Sequence, residues 1–365
     1  MKPVRTLIID DSSAMRRMLS DLLASDPEIE VAGTAGSAAV ALKLLEETNP
    51  DVLTLDVEMP DVSGLELLVE IRKRRPKLPV VMFSSLTQRA ASTTLDALAR
   101  GASDYVAKPA NTGSREASIE QVRAQLLPKL KALGGRSVIA APAPRPGPRP
   151  RTPIKAVEPI EILAIGSSTG GPNALAELFK GIPRGLEVPV VVVQHMPPLF
   201  TKLLAERLST LGSIPFVEAQ DGERAEEGQG YVAPGDHHLR LVRQGNEVRC
   251  QLTREAPENS CRPAVDVLFR SVDETYPGRA LALVLTGMGQ DGLRGCEALA
   301  RNGAQIVVQD EATSVVWGMP GFVARAGLAQ AVLPLEGIAA ETMQRLRPTP
   351  AGRFPTFPVE HQHVR

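Results

Sequence analysis

The sequence predicts an α/β protein: a five-stranded doubly wound parallel-sheet domain, a Pro-rich linker, and a second doubly wound α/β domain. Three observations carry this. Short apolar runs alternate with helix-period segments in both halves, as in parallel sheets covered by helices on both faces. Between residues 142 and 153, six of twelve residues are proline, too dense for a helix or a central strand. A length of 365 residues fits about two domains. The boundaries read 1–133 for the first domain, 134–159 for the linker, 160–347 for the second domain and 348–365 for a flexible tail. The tail carries Pro348, Pro350, Pro355 and Pro358 with little apolar periodicity.

In the first half, Val4–Ile9 reads as a buried strand, and Ser12 or Ser13 caps a helix with Met15, Met18, Leu19, Leu22 and Leu23 at helical spacing. Ile29–Thr34 and Asp51–Leu55 read as strands, with helices at Ser37–Glu47 and Gly64–Arg74. Leu78–Phe83 and Tyr105–Ala107 complete five strands, with helices near 91–99 and 118–132. The strand ends hold Asp10-Asp11, Asp56, Ser84-Ser85 and Lys108-Pro109. Sites in such sheets lie at the carboxyl ends of the strands. Gathered carboxylates repel one another unless a cation sits among them. Oxygen ligands of this kind suit Mg²⁺, and a hydroxyl plus an ammonium complete a cradle for a phosphoryl group.

Composition narrows the classes. Hydrophobic residues at 43% and charged residues at 23% argue against a disordered chain. A net charge of −1 disfavours nucleic-acid binding, as does a second half that alternates strand and helix where a short helix-turn-helix output would be expected. Cys250, Cys261 and Cys296 lack a CxxC pattern and read as reduced thiols of a cytoplasmic protein. The apolar stretch after Met1–Arg5 is too short for a signal peptide, and no run suits membrane insertion.

These strand-end residues, with Met59-Pro60, make the first half resemble the receiver domain of two-component response regulators, over essentially residues 1–130. The resemblance implies that Asp56 accepts a phosphoryl group from a histidine kinase. It implies Mg²⁺ held by Asp10, Asp11, Asp56 and the backbone carbonyl of Glu58. Lys108 would neutralise the phosphoryl charge, Ser84 would sense it, and Tyr105 stands where such domains often carry an aromatic switch. The run Met59-Pro60-Asp61-Val62-Ser63-Gly64 departs from the usual Met-Pro-x-Met-Asp-Gly, outside the acidic cluster.

In the second half, Ile160–Ile165 enters Gly166-Ser167-Ser168-Thr169-Gly170-Gly171-Pro172, followed by a helical segment, Asn173–Phe179. Strand, glycine turn and helix form the setting in which G-x-S-x-G exposes a serine hydroxyl. A glycine-rich anion loop reads equally well from this stretch alone. Of five histidines, His361 and His363 lie in the tail, and His237 and His238 read as loop residues at the surface or against substrate. His195 follows the strand Pro189–Val193 and so shares the sheet edge with Ser168. Asp291 follows the apolar run Ala280–Leu285 through Thr286-Gly287-Met288-Gly289-Gln290, and Asp236 and Asp266 are rival carboxylates. A nucleophile, a base and an acid from three strand-end loops point to a hydrolase; a pure anion loop needs neither His195 nor Asp291.

Gly-Ser-Ser-Thr-Gly-Gly, Gln-His-Met-Pro and Thr-Gly-Met-Gly-Gln-Asp-Gly make residues 160–345 resemble the catalytic domain of chemotaxis protein-glutamate methylesterases of the CheB type. Asp221-Gly222-Glu223, Tyr231–His237, Arg262-Pro263, Val265–Phe269 and Gly318-Met319-Pro320 extend the match, while Ser167 stands where the family more often has alanine. The resemblance implies Ser168 as nucleophile, His195 as general base and acid, and Asp291 as its partner. Thr169 and Met288 would border the site, the Met288 N–H helping to bind the oxyanion. It further implies hydrolysis of glutamate γ-methyl esters on the cytoplasmic helices of chemoreceptors, glutamine deamidation through the same acyl intermediate, and an unphosphorylated receiver covering the cleft. No cofactor is expected for ester hydrolysis. The long linker is expected to loosen that docking.

Overall fold

The computed structural model describes residues 2–109, 114–135, 159–212 and 214–347. Most of the expected linker, the whole expected tail, His361 and His363 lie outside the described residues.

The first half alternates β1 (Val4–Ile9), α1 (Ser13–Ala24), β2 (Ile29–Ala35), α2 (Ala38–Thr48), β3 (Val52–Asp56), α3 (Gly64–Arg74), β4 (Val80–Ser84), α4 (Gln88–Ala99), β5 (Asp104–Ala107) and α5 (Arg115–Leu133). The strands form one parallel sheet in the order β2-β1-β3-β4-β5. Because β1 is flanked by β2 and β3, a crevice opens past the carboxyl ends of β1 and β3. Side-chain caps set the helix starts: Ser12, Ser37, Thr87 and Ser114 each accept a backbone N–H, and Ser63 with Glu66 closes a capping box before α3. The expected elements differ from these mainly at their ends. Thr87 starts α4 three residues before the apolar periodicity announces it.

The second half runs β6 (Ile162–Ser167), α6 (Gly171–Gly181), β7 (Val190–Gln194), α7 (Phe200–Leu211), β8 (Phe216–Glu218), β9 (Gly230–Val232), β10 (His238–Gln244), β11 (Glu247–Thr253), α8 (Val265–Thr275) and β12 (Ala280–Val284). It ends with α9 (Leu293–Asn302), β13 (Gln305–Gln309), α10 (Met319–Arg325), β14 (Ala331–Leu333) and α11 (Leu335–Leu346). A seven-stranded parallel sheet has the order β14-β13-β12-β6-β7-β9-β8, while β10 and β11 form an antiparallel hairpin packed on α8. The first strand, β6, is central. Its neighbours β7 and β12 leave on opposite sides, so the loops after these three strands converge. Among the described residues, no helix is long and apolar enough to cross a membrane.

Candidate functional site

At the first crevice, carboxylate oxygens of Asp10, Asp11 and Asp56 lie within 4.8 Å of one another. Asp10 and Asp56 are buried and Asp11 is exposed. Lys108, beyond β5, sets its Nζ 2.8 Å from Asp56 Oδ2 and 3.2 Å from Asp10 Oδ2. Burial pushes the Asp56 carboxyl up to about 6 although the Lys108 ammonium opposes this. Burial pulls the Lys108 ammonium down, and the two aspartates more than reverse it. An acidic, oxygen-only cluster open on one side suits a divalent cation. The Glu58 N–H donates to Asp56 Oδ1 at 3.1 Å, and the Ser85 hydroxyl donates to Glu58 at 2.9 Å. Ser84 faces the other way. Its buried hydroxyl accepts from Thr94 Oγ1 of α4 at 2.8 Å.

The second crevice gathers loops after β6, β7 and β12. Ser168 follows β6, and its N–H donates to the Thr286 carbonyl at 3.1 Å. A Cβ on Gly287 would stand 2.9 Å from Ser168 Cβ, so only glycine lets the two loops approach this closely. His195 Nε2 lies 2.8 Å from Asp291 Oδ2. Since a carboxylate only accepts, this contact places a proton on Nε2. Nδ1 faces Cys261 Sγ at 3.5 Å. Among the described residues, no hydrogen bond joins Ser168 Oγ to His195.

Asp291 is well held. Its Oδ2 also accepts from Val265 N at 2.7 Å, and its Oδ1 accepts from Asp266 N, Gly292 N and Asn259 Nδ2 at 3.0, 3.0 and 2.9 Å. Burial alone would raise its pKa, but the bond to His195 and the N–H donors bring it below the ordinary range. Burial pulls the imidazolium of His195 down, yet Cys261 and Asp291 outweigh that and raise its pKa.

The response regulator receiver domain matches residues 6–120, and CheB methylesterase matches 163–342. A protein-glutamate methylesterase/protein-glutamine glutaminase of Trichodesmium erythraeum is 50% identical over 95% of this chain and 100% of its own length. One of Pseudomonas aeruginosa is 44% identical over 94% of this chain and 97% of its own. The chain belongs to this family. The CheB methylesterase catalytic domain of Thermotoga maritima shares 41% identity at a TM-score of 0.50, over 51% of this chain and 98% of that one.

In this methylesterase-family chain the receiver lies against the loop that carries Ser168. Thr169, next to Ser168, donates its hydroxyl to Asp104 Oδ2 of β5 at 2.6 Å. Lys129 of α5 pairs with the same carboxylate at 2.9 Å. The ring of Tyr105 stacks on Phe200 of α7, centroids 4.6 Å apart. Asn173 and Arg207 donate to the Leu98 and Leu95 carbonyls of α4 at 2.6 and 2.8 Å.

Of the expected site residues, the structure brings Asp10, Asp11, Asp56 and Lys108 together, and separately His195 with Asp291. Thr169 and Met288 flank Ser168 and Gly287 in the converging loops. His238 is a correction: the expected loop residue opens β10, fully buried, its ring between the Ala256 carbonyl and the Ala264 N–H. Leu239 and Leu241 bury one face of the hairpin, while His238, on the alternate face, is buried by its contacts with residues 256 and 264. His237 is half-buried and accepts from Arg254. The rival Asp236 is ion-paired with Arg262. Asp266 lies beside Asp291 instead of replacing it, and burial together with Asp291 pushes it up to about 6. Asn259 bridges the two, donating to Asp266 Oδ2 and Asp291 Oδ1 at 2.9 Å each. Sequence reading missed Asn259 and Cys261. The only signal was their place just before Arg262-Pro263, a stretch with no strand-end mark.

Proposed function

We propose that the protein is a phosphorylation-activated serine esterase that hydrolyses glutamate γ-methyl esters on the cytoplasmic domains of chemoreceptors. The observation that carries this is the convergence of the loops after β6, β7 and β12, which bear Ser168, His195 and Asp291, in a chain half identical to a named methylesterase over nearly its whole length. The domain limits proposed are those read from the sequence, 1–133 and 160–347, in a cytoplasmic protein.

Asp291 fixes the imidazole tautomer, and His195 Nδ1 takes the Ser168 proton as Oγ attacks the ester carbonyl. The Met288 N–H helps bind the oxyanion, methanol leaves with the returned proton, and water releases the acyl group as glutamate. An amide in place of the ester gives glutamine deamidation by the same route.

The first crevice supplies control. Asp56 accepts the phosphoryl group from a histidine kinase, Lys108 pairs with its charge, and the Asp10, Asp11 and Asp56 carboxylates with the Glu58 carbonyl would hold Mg²⁺. When bound, Mg²⁺ offsets negative charge on the carboxylates and the phosphoryl oxygens. Ser84 turns toward the phosphoryl group and releases Thr94, and α4 shifts away from Asn173 and Arg207. The charged Thr169–Asp104 bond is worth about 1.5–3 kcal/mol and the Tyr105–Phe200 stack about 0.5–1.5 kcal/mol, so their loss supplies about 2–4.5 of the ~5.5 kcal/mol that inverts a 99:1 population.

The test is methanol release from methylated receptor membranes with Mg²⁺ and a small phosphodonor. Wild type releases methanol and Ser168→Ala does not. Release by both would mean that another group is the nucleophile; release by neither would refute the esterase reading.

A further inference from the structure

The proposed mechanism leaves one nucleophile unused. Cys250 and Cys296 are buried in the core, whereas Cys261 is half-buried at the mouth of the second crevice. Its Sγ stands 3.5 Å from His195 Nδ1, and the opposite nitrogen of that ring is 2.8 Å from Asp291. Sulfur, imidazole and carboxylate thus form a second relay on the base that Ser168 needs. We propose that Cys261 is a modification site, a thiol activated by His195 that takes soft electrophiles or peroxides and thereby switches the esterase off.

The chemistry uses groups already in place. A thiol reacts as its thiolate, and an adjacent imidazole can accept the thiol proton. With an alkyl halide, the sulfur forms a bond to carbon, the carbon–halogen bond breaks, halide leaves and the proton passes to His195 Nδ1 and then to water. With hydrogen peroxide, the sulfur attacks one oxygen and the O–O bond breaks. Sulfur is oxidised by two electrons to the sulfenic acid, and the leaving hydroxide takes the proton from His195 to become water. Either adduct grows from an atom already in contact with Nδ1. It therefore occupies the space through which the Ser168 proton must reach that nitrogen.

The inference deepens the esterase reading by adding a control at the same base, and its effect on turnover rests on that reading. The labelling does not, because it is read by mass. The experiment treats the full chain with iodoacetamide at pH 7 and maps the three cysteines by peptide mass spectrometry over time, while following methanol release. Cys261 is expected to label at least tenfold faster than Cys250 and Cys296, with methanol release lost in step. His195→Gln should slow labelling of Cys261 severalfold and leave the other two unchanged. Cys261→Ala should run at its own untreated rate throughout. Cys261 labelling no faster than the buried pair, or at the same rate in His195→Gln, would overturn the activation. Fast labelling with undiminished methanol release would overturn the switch. A dose of hydrogen peroxide should reproduce the loss in wild type and spare Cys261→Ala; loss in both would place the sensitive group elsewhere.

Discussion

The two crevices of this molecule use one topology in opposite ways. Each lies past the carboxyl ends of parallel strands where the strand order reverses. The receiver site is built from strand ends alone: Asp10 after β1, Asp56 at the end of β3, Lys108 after β5. Its charges are crowded, and burial pushes one carboxyl up to about 6. The catalytic site takes its three candidate residues from strand-end loops but its support from residues 259–266, far along the chain. There the acid is satisfied on both oxygens. One site crowds its carboxylates around one ammonium; the other holds its imidazole and carboxylate together beneath a loop on which the receiver packs.

That contrast can be broken by substitution. The largest effect is expected at Ser168→Ala, where methanol release should fall roughly 10⁴-fold or more. Asp291→Asn keeps the shape but offers the wrong tautomer to His195, and kcat should drop roughly 10³–10⁴-fold with KM little changed. Asn259→Ala removes the bridge between Asp266 and Asp291. Both carboxyls then rise, so the acid limb of the kcat–pH profile should move upward and kcat should fall roughly tenfold. An unmoved limb would make Asn259 merely structural.

The smallest effect concerns the receiver's crowding. Asp56 is raised from 3.8 to about 6 in the folded state. Its contribution to stability is therefore present below about 4 and lost as pH rises through about 6. Asp56→Asn should raise Tm by a few degrees, about 1 kcal/mol, at pH 7 and by nothing at pH 4. In the same window, phosphorylation of the wild type without added cation should slow as pH falls below about 6, because the carboxylate is the acceptor.

How legible each site is follows from the same difference. A short apolar run ending in one polar residue marks a strand and its functional tip together, so Asp10, Asp56, Lys108, Ser168, His195 and Asp291 can be read from the chain. Gly170, at a φ of 78°, marks the turn before α6 as the glycine pattern suggests. Asn259 and Cys261 come from an irregular segment whose place depends on how α8 packs against the β10–β11 hairpin, and no local pattern encodes that. His238 misleads for the same reason: the turn Pro234-Gly235-Asp236 reads as a loop, while the buried strand begins immediately after it. The docking pairs Thr169–Asp104 and Tyr105–Phe200 join residues from separate halves of the chain, and periodicity within either half says nothing of them.

The central claim is that β5 of the receiver, seated on the Ser168 loop, and α4, seated on α6 and α7, hold the esterase off until Asp56 is phosphorylated. The most direct test is methanol release by wild type and Asp104→Ala, each with and without phosphodonor. The account predicts a low basal rate in wild type that the phosphodonor raises at least tenfold. Asp104→Ala should have a basal rate several times higher and a correspondingly smaller response. Equal basal rates with equal activation in the two proteins would contradict it.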